Sequence, residues 1–146
     1  MKIKNVKKFK KGYYYIMANK NIKKITPESM ENLALELIEY FAKNELWQDM
    51  GIYVNNKRLA SDNVRNSYKK AKTKGGVIYY IEENVDVTKQ IEYNNPETMT
   101  LYFEGPLYNM INHHDYDYIS KLDKIFLKPY GLYFEQGYAW SMAAYN

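Results

Sequence analysis

Met30, Leu33, Ala34, Leu37, Ile38 and Phe41 recur at spacings of three and four residues. That is the period of one face of an α-helix. Thr26 can cap such a helix, Pro27 suits its first turn, Glu28 favours the positive end of its dipole, and Asn44 is a fair stop. The spacing predicts a helix over residues 26–44 that lays one broad apolar face on a sheet. Before it, residues 12–20 are rich in rings and end at Asn19 and Asn21, which predicts a strand.

Past the helix the period changes. Residues 52–54 and 58–60 flank Asn55-Asn56, and asparagine tolerates the left-handed turn of a tight hairpin. Residues 61–76 carry only a thin stripe, Val64, Tyr68 and Ala71. With Ser61 to cap and Gly75-Gly76 to end it, the stretch predicts a short, largely cationic helix. Three strands follow at 77–81, 85–93 and 98–104, separated by "EEN" and "NNPE". In the last, Met99, Leu101 and Phe103 alternate with Thr98, Thr100 and Tyr102, so one face is buried. Gly105-Pro106 opens a short helix over 106–112. A second helix sets Tyr118, Ile119, Leu122, Ile125 and Phe126 on one side and stops at Pro129. Residues 132–135 and 138–143 then form a closing hairpin across Gln136-Gly137, with Leu132 and Phe134 inward and Tyr133 outward.

The two hairpins echo one another. Gly51-Ile52-Tyr53-Val54 matches Gly131-Leu132-Tyr133-Phe134 in type at a constant offset of 80, and Ser61 falls opposite Ser141. Each hairpin follows a helix, and each helix follows a Tyr-containing strand. Either residues 12–61 and 98–146 are two copies of a βαββ unit, or Gly-aliphatic-Tyr-aliphatic is simply a common way to begin a strand. Both readings predict one domain of α+β class: an antiparallel sheet of about six or seven strands with helices packed on one face.

Composition supports a packed core. The 146 residues are 46% apolar and 16% aromatic, and Tyr supplies 17 rings against 5 Phe and 2 Trp. Tyr favours half-buried sites, with its ring on apolar neighbours and its hydroxyl toward water or a partner. With no Cys, disulfides, thiolate chemistry and Cys-rich zinc sites are excluded. No apolar run approaches the ~20 residues of a membrane span, and a cytoplasmic home is expected. Lys outnumbers Arg by 19 to 2 and Asn and Ile are frequent, a bias that an AT-rich bacterial or mobile-element gene would give.

Charge divides along the chain. Residues 1–75 hold 17 Lys and Arg against 7 Asp and Glu, a balance of +10; residues 76–146 hold 4 against 10, a balance of −6. The basic half could grip a nucleic-acid backbone through Lys7, Lys8, Lys10 and Lys11, with Arg65, Lys69, Lys70, Lys72 and Lys74 as a second run. The scarcity of Arg argues against base readout. The two halves could equally neutralise each other within the fold.

Little catalytic chemistry is legible. His113-His114-Asp115, with Asp117 close by, is the one cluster that invites a metal or acid–base role. Adjacent side chains diverge, however, and a polar loop explains the run without chemistry. Glu82-Glu83, or Glu92 with Glu97, would need a cleft to face each other as a hydrolytic pair. Ser61 and Ser141 have no His placed for them, and no phosphate loop or nucleophile elbow is present. No cofactor and no metal are expected.

The expectation is therefore a non-catalytic binding protein. Its composition suits a phage or mobile-element accessory protein that inhibits a host defence or nucleic-acid-processing protein, of anti-CRISPR or anti-restriction type. Tyr116, Tyr118, Tyr130, Tyr133, Tyr138 and Trp140 would anchor a basic protein partner, with Asp115, Asp117 and Glu135 facing its charges. The alternative is a nucleic-acid-binding module using the Lys-rich half.

Overall fold

The computed structural model describes residues 21–63 and 70–146. Helix α1, Pro27–Lys43, begins as its sequence dictates. Thr26 Oγ1 accepts the Ser29 N–H at 3.0 Å, and Ser29 Oγ accepts the Thr26 N–H at 2.9 Å, a reciprocal capping box. The six apolar residues at helical spacing are all buried.

Strands β1 (Met50–Val54) and β2 (Lys57–Ala60) follow as a hairpin. Asn55 and Asn56 both take positive φ, 53° and 59°, the conformation a two-residue turn needs to match strand twist. Of the short helix expected over 61–76, residues 64–69 lie outside the described residues, and 70–74 are not helical. Lys70–Lys74 is strand β3, joined through Gly75 and Gly76, at φ 57° and 82°, to β4 (Val77–Glu83). The physical reason is a period of two: Lys70, Lys72 and Lys74 alternate with Ala71 and Thr73, and a Gly-Gly pair closes a hairpin more readily than it ends a helix.

Residues 85–93 are not a strand either. Asp86 Oδ1 accepts the Thr88 N–H at 3.0 Å and caps one 3₁₀ turn, Val87–Lys89. In the sheet order β3-β4-β2-β1-β5-β7-β6, both neighbours of β4 are already taken. The chain must therefore cross β2 and β1 to reach β5 (Thr100–Phe103). It does so over one face, burying Val85, Val87 and Ile91 with Tyr53 in a small outer core that Tyr102 and Trp140 flank.

The chain then returns to the opposite face. Helix α2, Pro106–Asn109, widens into a π turn over Met110–His114. Helix α3, Tyr118–Leu122, does the same over Asp123–Leu127 and ends in a 3₁₀ turn at Lys128–Tyr130. Strands β6 (Tyr133–Gln136) and β7 (Ser141–Tyr145) complete an antiparallel seven-stranded sheet of α+β class. The main core lies between α1, α2, α3 and the sheet face carrying Ile52, Leu59, Ile81, Leu101, Phe103, Phe134 and Met142. Strand β7 starts at Ser141 rather than Tyr138 because Ser141 closes the loop: Tyr138 N–H reaches its Oγ at 3.0 Å and Gly137 N–H its carbonyl at 3.1 Å.

The expected strand over residues 12–20 lies outside the described residues. In the echoed hairpins, Ile52 and Leu132, and Val54 and Phe134, are buried alike. The two glycines differ: Gly51 lies within β1, whereas Gly131 takes φ 68° after a 3₁₀ turn.

Candidate partner-binding surface

The nine ring and acidic residues expected to meet a partner fall on two sides of the sheet. Asp115, Asp117 and Tyr118 belong to the start of α3, on the main-core side. Asp115 is engaged within the chain: Lys121 Nζ donates to its Oδ2 at 2.6 Å and Asp117 N–H to its Oδ1 at 3.0 Å. Those bonds, Lys121 first, hold its carboxyl below the usual range. Tyr118 is buried in the main core, and burial with the neighbouring Tyr40 hydroxyl pushes its phenol well up. It is a core residue, because the side of α3 that carries it is the side that packs. Tyr130 is half-buried beneath the Lys23 ammonium, 5.6 Å from its ring centre. Of this group Tyr116 is the open ring, 81% exposed, and Asp117 is exposed beside it.

The second group gathers at the β6–β7 hairpin. Phe134 points into the main core, so Tyr133 and Glu135 point away from it, and both are exposed. Tyr138 and Trp140 stack almost parallel, with ring centres 5.2 Å apart. Trp140 is half-buried on the outer core, while Tyr138 stands over it.

Three further residues complete this surface, all outside the sequence-based expectation. Tyr93 packs on Tyr138 at 5.1 Å between ring centres. Glu92 accepts the Tyr138 hydroxyl through Oε1, and that bond raises the Tyr138 phenol. Tyr145 stands opposite Tyr133 across the β6–β7 pair and donates its hydroxyl to Asn94 O at 3.3 Å. The crossing segment, not the hairpin alone, builds the site. Its signal in the sequence was the Asp86-x-Thr88 cap, which breaks a strand.

Between these parts lies a cleft of about 230 Å³ lined by Tyr93, Glu135, Gln136, Gly137 and Tyr145. Gly137 is required there, since a Cβ at that position would stand 2.6 Å from Tyr93 Cβ. A larger cavity, about 380 Å³, opens at the start of α1 between Thr26, Pro27, Asn55, Pro96 and Glu97. Two of its hydroxyls are committed internally, Thr26 to Ser29 and Thr98 to Ala144 O.

The remaining candidates resolve simply. His113 and His114 are exposed, and the Tyr108 ring lies 5.9 Å from His113. Among the described residues no three His, Asp or Glu side chains gather as a metal site. Glu82 pairs with Arg58, Glu92 serves Tyr138 and Glu97 borders the α1 cavity, so these carboxylates do not form a hydrolytic pair. Ser61 and Ser141 each accept a backbone N–H, from Met50 and Tyr138. Of the basic candidates, Lys7, Lys8, Lys10, Lys11, Arg65 and Lys69 lie outside the described residues. Lys70, Lys72 and Lys74 fall on β3, where Lys72 and Lys74 are exposed and Lys72 acts on Glu31 of α1. Among the described residues no helix is long and apolar enough to cross a membrane. The chain matches no protein-family model, no curated protein and no solved structure.

Proposed function

We propose that this chain is a binding protein without catalytic activity, and that the hairpin end of its outer sheet face docks a basic protein. The observation that carries the reading is the ring cluster of Tyr93, Tyr138 and Trp140, fixed by packing and by Glu92 yet open to water at Tyr138. Rigid, amphipathic rings with acidic neighbours are what anchors a cationic protein surface at little entropic cost. The negative balance of residues 76–146 favours the same partner. Together with the Lys- and Asn-rich composition, this supports an accessory protein of a phage or mobile element that blocks a nucleic-acid-handling enzyme by covering its basic surface.

The test is affinity capture from a bacterial lysate, followed by reconstitution with the purified partner. The expected result is a stoichiometric complex with a basic protein that Tyr138→Ala abolishes. A parallel titration with DNA and RNA at two salt concentrations addresses the Lys-rich half. Tight binding there with a steep salt slope, and no protein complex, overturns the proposal.

A further inference from the structure

Resting on that reading, we infer that the cleft between the crossing segment and the β6–β7 hairpin is a receptor for one arginine side chain of the partner protein. Its walls are two tyrosines, Tyr93 and Tyr145, and its charge is the Glu135 carboxylate. A guanidinium suits this chemistry. It stacks on ring faces and donates in a plane to a carboxylate, which a compact ammonium does less well.

The walls are held in place before any guest arrives. The Tyr145 hydroxyl is tied to Asn94 O at 3.3 Å, and Tyr93 is wedged between the Gly137 backbone and the Tyr138 ring. Such preorganisation leaves little side-chain freedom to lose on binding. Glu135 is differently placed. It pairs directly with Ala143 across the β6–β7 ladder, so a methyl group is all that stands opposite it. It is exposed and takes part in none of the ion pairs among the described residues. The other carboxylate of the hairpin group, Glu92, holds Tyr138. The cleft thus offers rings, one free negative charge and room, and no cation of the described chain fills it.

The probe is a short capped peptide with a single arginine, titrated into the whole ¹⁵N-labelled chain, beside matched peptides carrying lysine and citrulline. The expected result is saturable shifts at the amides of Tyr93, Glu135, Gly137 and Tyr145. Glu135→Gln should weaken binding about fivefold, the effect of one exposed charge pair. Lysine should bind more weakly, and neutral citrulline should leave the spectrum unchanged. Shifts centred elsewhere, equal response to citrulline, or unchanged affinity in Glu135→Gln would overturn the assignment. Thermal unfolding of Glu135→Gln confirms that the variant is folded. A partner complex that Glu135→Gln forms with unchanged affinity, but that Tyr138→Ala loses, would remove the arginine receptor and leave the binding-protein reading standing.

Discussion

The Asp123 carboxylate accepts the Phe134 N–H at 2.8 Å. Phe134 lies on β6, the outermost strand of the sheet. Its partner across the ladder is Ala144, whose own N–H turns away to Met99 O, so the Phe134 N–H faces outward. The N–H of Leu132, just before the strand, is satisfied by Leu127 O at 3.1 Å. The segment after α3 therefore closes an edge that would otherwise be open to another strand. Asp123→Ala should orphan a part-buried donor and cost about 1 kcal/mol in urea unfolding.

The same contact sets a pH dependence. Burial raises the Asp123 carboxyl, and the bond from Phe134 only partly offsets it. A raised folded-state pKa means the native protein binds more protons than the unfolded chain in that window. The stabilising contribution is thus complete below the unfolded value, near 3.8, and is lost as pH rises through the folded one. Asp123→Asn keeps an acceptor and carries no charge. Its stability relative to the parent should rise from acid to neutral pH, and a flat difference in urea midpoints across that range would contradict the assignment.

Glu31 behaves in the opposite sense. Burial pushes it up, but bonds from Lys57 Nζ (2.8 and 3.0 Å) and Asn55 Nδ2 (3.0 Å) outweigh that and leave it lowered. Its stabilising contribution is present above the unfolded carboxyl value and is lost as pH falls through the folded one. Glu31→Gln should cost up to about 1 kcal/mol at neutral pH. The difference from the parent should vanish in acid. The pair also ties α1 to the β1–β2 turn and spends one basic residue of the Lys-rich half inside the fold.

These contacts show where sequence reasoning succeeds and where it stops. Helix α1 and the Asn55-Asn56 turn were legible because each rests on local rules: six apolar residues at helical spacing, and a dipeptide that accepts positive φ. Strand β3 was not, because Lys and Ala are good helix formers and the alternation of Lys70, Lys72 and Lys74 competes with that propensity over only five residues. The crossing segment failed for a global reason. Val85 and Val87 alternate as a strand would, but every position beside β4 was already occupied. Half of the candidate surface failed with it, since Tyr93 and Glu92 reach the hairpin rings only through that crossing. Tyr118 shows the limit of composition: a tyrosine at an amphipathic boundary can be core or anchor, and only the packing of α3 decides.

The β3–β4 turn offers a backbone test. Gly76 takes φ 82° and nothing lies within 4 Å of the position a Cβ would occupy. Gly76→Ala therefore meets no clash and pays only the left-handed strain, about 1 kcal/mol. Gly76→Asn should recover a good part of that loss, because asparagine tolerates the same region. Chemical unfolding of the two variants measures both numbers. Equal stability of alanine and parent would rule out the two-residue hairpin.

Tyr138 and Trp140 stack on one another but should answer mutation differently. Trp140 packs on the outer core of Tyr53, Val85, Val87 and Ile91, so Trp140→Ala opens a gap under the crossing segment. Because the ring is only half-buried, the cost should be roughly 2 kcal/mol, below the full-burial range. Tyr138 lies outward, bonded to Glu92 and resting on Tyr93. Tyr138→Ala should cost less, about 1 kcal/mol for the lost ring contacts, and still abolish partner binding. Tyr138 also provides an internal check on the geometry. Glu92 raises its phenol above the ordinary tyrosine value, so its alkaline titration, followed by NMR, should move down in Glu92→Gln. If Tyr138→Ala destabilises the fold as much as Trp140→Ala, the stack is structural cement and the anchor must be sought elsewhere on the ring surface.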